Sequence, residues 1–255
     1  MSKNSEKDRL LQYVLRLGDD ALILGHRLSE WCRNGPFLEE DIALSNIALD
    51  YIGRARMYYS YAAELSGGKK SEDDFAFLRD CREYQNFLIN ELPRGDFAQT
   101  MARQLVLDVF YTQLLERMCK STDSTLAAIA EKAVKETKYH LRRSTDWTLR
   151  LGDGTEESHS RLQAGFDAIW GYTPEMFEQD ELELELVNSG VAVNTRNLKS
   201  IWEKQITAIL KEATIEIPTQ EWTVRGGRAG FHTEHLGHLL SELQYMQRTY
   251  PGLKW

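Results

Sequence analysis

The segment Lys135-Glu136-Thr137-Lys138-Tyr139-His140 decides how this chain is read. Four-helix bundles that hold two iron ions carry Glu-x-x-His on two helices and a single Glu on each of the other two. Here His140 is present, but the residue three positions before it is Thr137, whose hydroxyl offers iron no charged oxygen. The segment points to such a bundle and withholds one of the ligands the metal needs.

Working outward, the same helix shows Leu126, Ala130, Ala133, Thr137, His140, Ser144, Trp147 and Leu151 at steps of three and four, the seam of a packed helix with a polar middle. Upstream, the turn Leu92-Pro93-Arg94-Gly95 leads into Asp96, an N-cap with Gln99 in capping-box position. The helix it opens runs to about Lys120 and presents Phe97, Met101, Leu105, Asp108, Thr112 and Leu115, so one member of an apolar stripe is an acid. Two longer helices precede it. The first, about Glu6 to Arg33, has Leu10, Val14, Leu17, Ala21, Leu24, Leu28 and Trp31 on one seam, and Asn34-Gly35-Pro36 ends it with Gly as the left-handed cap. The second, about Glu39 to Leu65, carries Leu44, Ala48, Tyr51, Ala55, Tyr58, Ala62 and Leu65, closed by Ser66-Gly67-Gly68. Residues 71–90 read as shorter helical pieces.

Downstream, helices are expected over about 156–171, 195–213 and 233–250, with Thr173 capping a helix whose first position is Pro174. Glu181-Leu-Glu-Leu-Glu-Leu alternates like a strand, but a lone strand has no partner, so helix or irregular structure is expected. The fold class is all-α: one domain, a four-helix bundle core over about 6–152 with a helical C-terminal extension over about 153–255.

Asp108, Thr137 and His140 lie on inward seams, with Tyr51 on the seam of the second helix. A buried carboxylate needs a metal, a cation or several donors. Two irons take about four carboxylates and two imidazoles; one acid and one histidine favour a hydrogen-bonded cluster, for example Asp108 with His140 and the Tyr51 hydroxyl. No metal is expected in the chain.

Composition limits the partners. A net charge of -8 over 255 residues argues against nucleic acid or an anionic membrane surface. No uncharged run approaches the roughly 18 residues of a membrane span, and the N-terminus, Met1 to Lys7, has no apolar signal core. Cys32, Cys81 and Cys119 lie far apart and read as buried reduced thiols of a cytoplasmic protein.

Several stretches together, Leu15-Arg-Leu-Gly-Asp19, Asn46-Ile-Ala-Leu-Asp50, Tyr61-Ala-Ala-Glu-Leu65, Lys135 to His140 and Phe231-His-Thr-Glu-His-Leu-Gly237, resemble the non-catalytic ferritin-like C subunits of bacterial phenylacetyl-CoA epoxidase. The resemblance covers essentially the whole chain and implies a ferritin-like bundle. It also allows the iron-binding paralogue's motifs to be laid on this sequence. Its Asp-Glu-x-Gly-His run falls on Asp50 to Arg54, so Tyr51 stands at a Glu position and Arg54 at a His position. Its Lys-Glu-Glu-x-x-His falls on Lys135 to His140, with Thr137 at the ligand Glu. The acid of its third helix corresponds to Asp108, and the Glu of its first helix falls near Ala21. The resemblance implies a chain that has lost iron and chemistry. It would pair with a di-iron catalytic subunit, alongside a small bridging subunit and a reductase, in a complex that receives phenylacetyl-CoA.

Other constellations have alternative readings. Glu234, His235, His238 and Glu242 could share a helix face as metal ligands, or form i,i+4 pairs; with His232, the histidines His235 and His238 are candidates for a partner interface. Arg225-Gly-Gly-Arg228 could hold the phosphates of a coenzyme A, or be a solvated turn. Trp170, Trp202, Trp222 and Trp255 suggest core or interface in the C-terminal half. The expected role is architectural. Two rivals remain: an iron oxygenase built on Asp108, His140, Glu136 and Asp19 or Asp20, and a coenzyme-A thioester binding module using Arg225 and Arg228.

Overall fold

The structure, a computed structural model, describes residues 3–219 and 221–253, with side chains from Glu6 onward. Met1 and Ser2 of the N-terminal segment, and Trp255 of the tryptophan set, lie outside the described residues. Helices and short 3-10 turns make up the regular structure, and no strand occurs among the described residues. By its contacts the chain divides into two compact units, Met1–Pro93 with Arg225–Trp255, and Arg94–Val224. This division differs from the expected bundle core ending near residue 152, because the last thirty or so residues pack with the N-terminal helices.

In the first unit, α1 (Lys3–Ser29) and α2 (Leu38–Leu65) form an antiparallel hairpin. Their seams are the expected ones: Val14, Leu17, Ala21, Leu24 and Leu28 are buried on α1, and Leu44, Ala48, Tyr51, Ala55, Tyr58 and Ala62 on α2. Each fully buried leucine or aromatic contributes roughly 1.5–3 kcal/mol. Gly18 lets the helices close, since a Cβ there would lie 2.6 Å from the Tyr59 ring. The link between the helices departs from expectation. The left-handed residue is Arg33 (φ 68°), not Gly35. Gly35 is needed for proximity instead: its Cβ would meet the Asp41 backbone nitrogen at 2.6 Å, and its own N–H donates to Asp41 Oδ2 at 3.2 Å.

The segment after α2 holds α3 (Glu72–Phe77), opened by a Ser71/Asp74 capping box, and 3-10 turns at Cys81–Glu83 and Leu88–Glu91. The hairpin's unit is completed from far along the chain, by the segment from Arg225 onward.

In the second unit, α4 (Phe97–Met118) and α5 (Ser124–Gly152) form another antiparallel hairpin, joined by Glu116–Lys138 and by Phe97 edge-on to Trp147. Asp96 caps α4, accepting from the Gln99 N–H at 2.8 Å. Where one apolar stripe was expected, every residue from Thr100 to Leu115 is buried, as befits a helix enclosed on all sides. Within the unit it is packed by α5, by α6 (Glu156–Ile169) and by α8 (Lys199–Glu212). Trp202 of α8 fastens that contact, its indole N–H donating to the Val106 carbonyl at 2.9 Å.

Thr173 and Pro174 do not begin a helix. They lie inside a 3-10 run, Trp170–Phe177, where the Thr173 hydroxyl donates back to the Trp170 carbonyl at 2.8 Å. The alternating Glu-Leu stretch is helical, α7 (Glu181–Asn188), because Asp180 caps it by accepting from the Glu183 N–H. The expected last helix is two, α9 (Glu234–Leu243) and α10 (Tyr245–Thr249), interrupted at Gln244. Of the cysteines, Cys32 is exposed rather than buried, and Cys81 and Cys119 are half-buried.

Candidate functional site

The sequence-predicted positions fall in both units. In the second unit, Asp108 on α4 and Thr137 and His140 on α5 are all buried. The antiparallel register brings the Ser144 hydroxyl, one turn beyond His140, to Asp108 Oδ2 at 2.8 Å. Asp108 thus has a serine as a donor.

In the first unit, Tyr51 and Arg54 sit on α2, both buried. The Arg54 guanidinium carbon lies 4.8 Å from the centre of the Tyr51 ring, a cation held over an aromatic face. Tyr58, two steps beyond Tyr51 on the seam, has its hydroxyl pushed up to about 12, chiefly by burial. A tyrosine with a fixed cation above it is the chemical opposite of a carboxylate and imidazole poised for iron.

The densest polar chemistry in the first unit lies elsewhere, around three buried acids that sequence reasoning did not single out as a group. Asp19 accepts from the Tyr59 hydroxyl at 2.7 Å, from the Gln85 N–H at 2.8 Å, and from both terminal nitrogens of Arg79. Arg79 in turn donates to the carbonyls of Phe75 and Glu83. Burial and the Asp19 charge raise the Tyr59 hydroxyl well above its ordinary value. Asp20 accepts from the Phe87 N–H at 2.7 Å, the Asn90 amide at 3.1 Å and Arg228 at 2.8 Å. Burial outweighs the Arg228 charge and raises the Asp20 carboxyl to about 6.

Glu91 is the third acid. Its Oε2 accepts from the backbone N–H and hydroxyl of Thr233, at 2.8 and 2.7 Å, and its Oε1 accepts from Asn86 at 2.9 Å. His232 Nδ1 lies 2.5 Å from Oε1, while its Nε2 lies 2.8 Å from the Tyr84 carbonyl oxygen. A carbonyl can only accept, and a carboxylate already receiving three donors remains an acceptor. Both nitrogens of the ring therefore face acceptors, the arrangement that suits an imidazolium. Burial works against the imidazolium, but Glu91 and the Tyr84 carbonyl outweigh it and raise the His232 pKa. The signal available in the sequence was the acid pair Asp19-Asp20 inside a buried helix, which must be matched by cations from somewhere.

This network answers for several expected roles. Arg228 does not lie in a solvated loop. It bonds Asp20 and the Gln85 carbonyl and stacks 3.7 Å from the Phe87 ring centre; Arg225 is exposed. His232, expected at an interface, has a side chain only 2% exposed. His235 is half-buried, its carbonyl accepting from Arg27, and His238 is exposed. Asp19 and Asp20, offered as iron ligands, are each taken by an arginine. Among the described residues no group of three or more His, Cys, Asp or Glu is placed to hold a metal ion, and no helix is long and apolar enough to cross a membrane.

The comparisons with known proteins agree with one another. A family model described as phenylacetic acid catabolic protein matches residues 1–255. The C subunit of the 1,2-phenylacetyl-CoA epoxidase of Escherichia coli strain K12 is 46% identical over 248 residues, which span 97% of this chain and 100% of that protein. By both measures the chain belongs to the phenylacetic acid catabolic protein family.

Proposed function

We propose that this chain is a structural, non-catalytic subunit of a phenylacetyl-CoA epoxidase acting in phenylacetate catabolism in the cytoplasm. It pairs with and stabilises a di-iron catalytic subunit and carries no iron itself. A small bridging subunit and a reductase complete the assembly, and the family resemblance implies a ferritin-like bundle. Whole-length similarity to a protein named as one subunit of that epoxidase supports the family and the multi-subunit setting. The observation that carries the non-catalytic part is the buried Arg54 guanidinium over Tyr51, at positions where the iron-binding pattern has His and Glu. Tyr51 and Arg54 supply no iron ligand of that pattern on α2, and in the other unit Asp108 and His140 alone are too few to retain iron.

The test uses the chain alone and the chain co-expressed with the catalytic subunit. The isolated chain is expected to contain iron far below stoichiometry and to co-purify with the catalytic subunit, whose iron it leaves unchanged. Iron at about two atoms per isolated chain, or no association with the catalytic subunit, would overturn the reading.

A further inference from the structure

Within the second unit, the chain leaving α4 and the chain leaving α7 enclose a pocket of about 270 Å³. Arg117 and Lys120 line it from the end of α4, and Asn194 and Asn197 from the segment that leads into α8. No carboxylate lines it, although the chain as a whole carries a net charge of -8. The walls are fixed in advance. The Ser121 hydroxyl donates to the Val191 carbonyl at 2.7 Å, and the Thr122 N–H donates to the Gly190 carbonyl at 3.0 Å. Gly190 is left-handed (φ 78°), and a Cβ there would lie 2.9 Å from Thr122 Cγ2, so glycine lets the two loops touch. Ser121 is spent on this tie, since its oxygen also accepts from the Asp123 N–H at 3.1 Å.

The remaining donors are uncommitted. Arg117 gives one terminal nitrogen to the Gln113 carbonyl at 3.0 Å and keeps the rest of its fork. Among the described residues, neither Arg117 nor Lys120 is paired with a carboxylate, and neighbouring Glu116 is taken by Lys138 at 2.7 Å. The side-chain amides of Asn194 and Asn197, and the backbone N–H groups of Val193 and Asn194, also donate to nothing among the described residues. A concave site with two free cations and several free N–H donors is built to receive an anion.

We propose that this pocket binds a phosphate monoester group. Arg117 and Lys120 match its nearly double negative charge at neutral pH, and its terminal oxygens accept the guanidinium fork and the N–H donors together. A carboxylate brings about half that charge and fewer oxygens, so it would leave donors unmatched. Free phosphate and the phosphate of a nucleotide present the same chemistry here, and the experiment separates them. The inference goes beyond the proposed pairing with a catalytic subunit and does not depend on it.

An amide NMR titration of the full-length chain at constant ionic strength tests this with inorganic phosphate, a nucleoside monophosphate and coenzyme A. Saturable shifts are expected at Gly190, Val193 and Asn194, with a dissociation constant of about 1 mM or lower for at least one ligand. The tightest of the three names the source. Arg117→Gln should raise that constant at least about tenfold, and Arg117→Lys less, because an ammonium keeps the charge and loses the fork. Arg117 and Lys120 are both exposed, so melts of Arg117→Gln and Lys120→Gln without ligand should match the wild type. Three results overturn the proposal: no saturation by any of the three ligands up to about 20 mM, equal shifts with chloride at the same ionic strength, or binding that survives Arg117→Gln combined with Lys120→Gln.

Discussion

The buried ring of His232 is held between Glu91 Oε1, 2.5 Å from Nδ1, and the Tyr84 carbonyl, 2.8 Å from Nε2. The two residues of the ion pair are 141 positions apart, and their contact is one of the ties that place residues 225–253 with the N-terminal hairpin. Removing one member leaves the other charge buried and unmatched, which costs about 3–5 kcal/mol. His232→Ala is expected to lower the urea midpoint accordingly, and limited proteolysis should then cut first within the C-terminal segment. A variant that unfolds at the wild-type midpoint would show that the pair does not hold the segment.

The same pair sets a pH dependence. The folded-state pKa of His232 is raised, so its contribution is fully present below the unfolded value near 6.5 and is lost as pH rises through the higher folded value. Asp20, raised from 3.8 to about 6 by burial, acts in the same direction. The folded state binds its proton more tightly, so stability attributable to this group falls as pH rises from about 4 to about 6. Melting curves at a series of pH values should lose the lower slope in Asp20→Asn and the upper slope in His232→Gln. An NMR titration placing the His232 pKa below that of a free histidine would contradict the assignment.

Arg228 and Arg225 should behave differently despite their shared loop. Arg228→Ala leaves Asp20 buried without its cation and removes the stack on Phe87, for an expected loss of about 3 kcal/mol or more. Arg228→Lys should recover only part, because an ammonium cannot reproduce the flat stack and the fork of donors. Exposed Arg225→Ala should stay within about 0.5 kcal/mol. Chemical denaturation separates the three. If Arg228→Ala keeps full stability and loses only affinity for a coenzyme-A ester, the phosphate-binding role returns.

Gly18→Ala tests the closeness of α1 and α2. The added methyl would lie 2.6 Å from the Tyr59 ring, and that ring cannot swing away freely because its hydroxyl donates to Asp19. Overpacking of this kind costs about 1–3 kcal/mol. A melt showing the usual gain from replacing a helical glycine would mean that the helices slide apart at no cost.

Much of this protein was legible one helix at a time. Three- and four-residue steps marked both seams of the N-terminal hairpin and the face of α5, and Asp96 announced the start of α4. Even there, local rules had limits. Gly35 looked like a helix cap and is a close-approach residue, and α4 is enclosed on every side although its pattern suggested one stripe.

By itself, then, the sequence determined the all-helical class, the positions of the long helices and the family. Those features depend on residues within a turn or two of one another or on direct likeness to relatives. Only the tertiary structure decided that residues 225–253 return to the first hairpin, that Arg79, Arg228 and His232 neutralise Asp19, Asp20 and Glu91, and that Arg228 faces inward. The reason is physical: these pairs join residues 60, 208 and 141 positions apart. A buried acid demands a cation nearby, but nothing in its local sequence says which distant one the folded chain will supply.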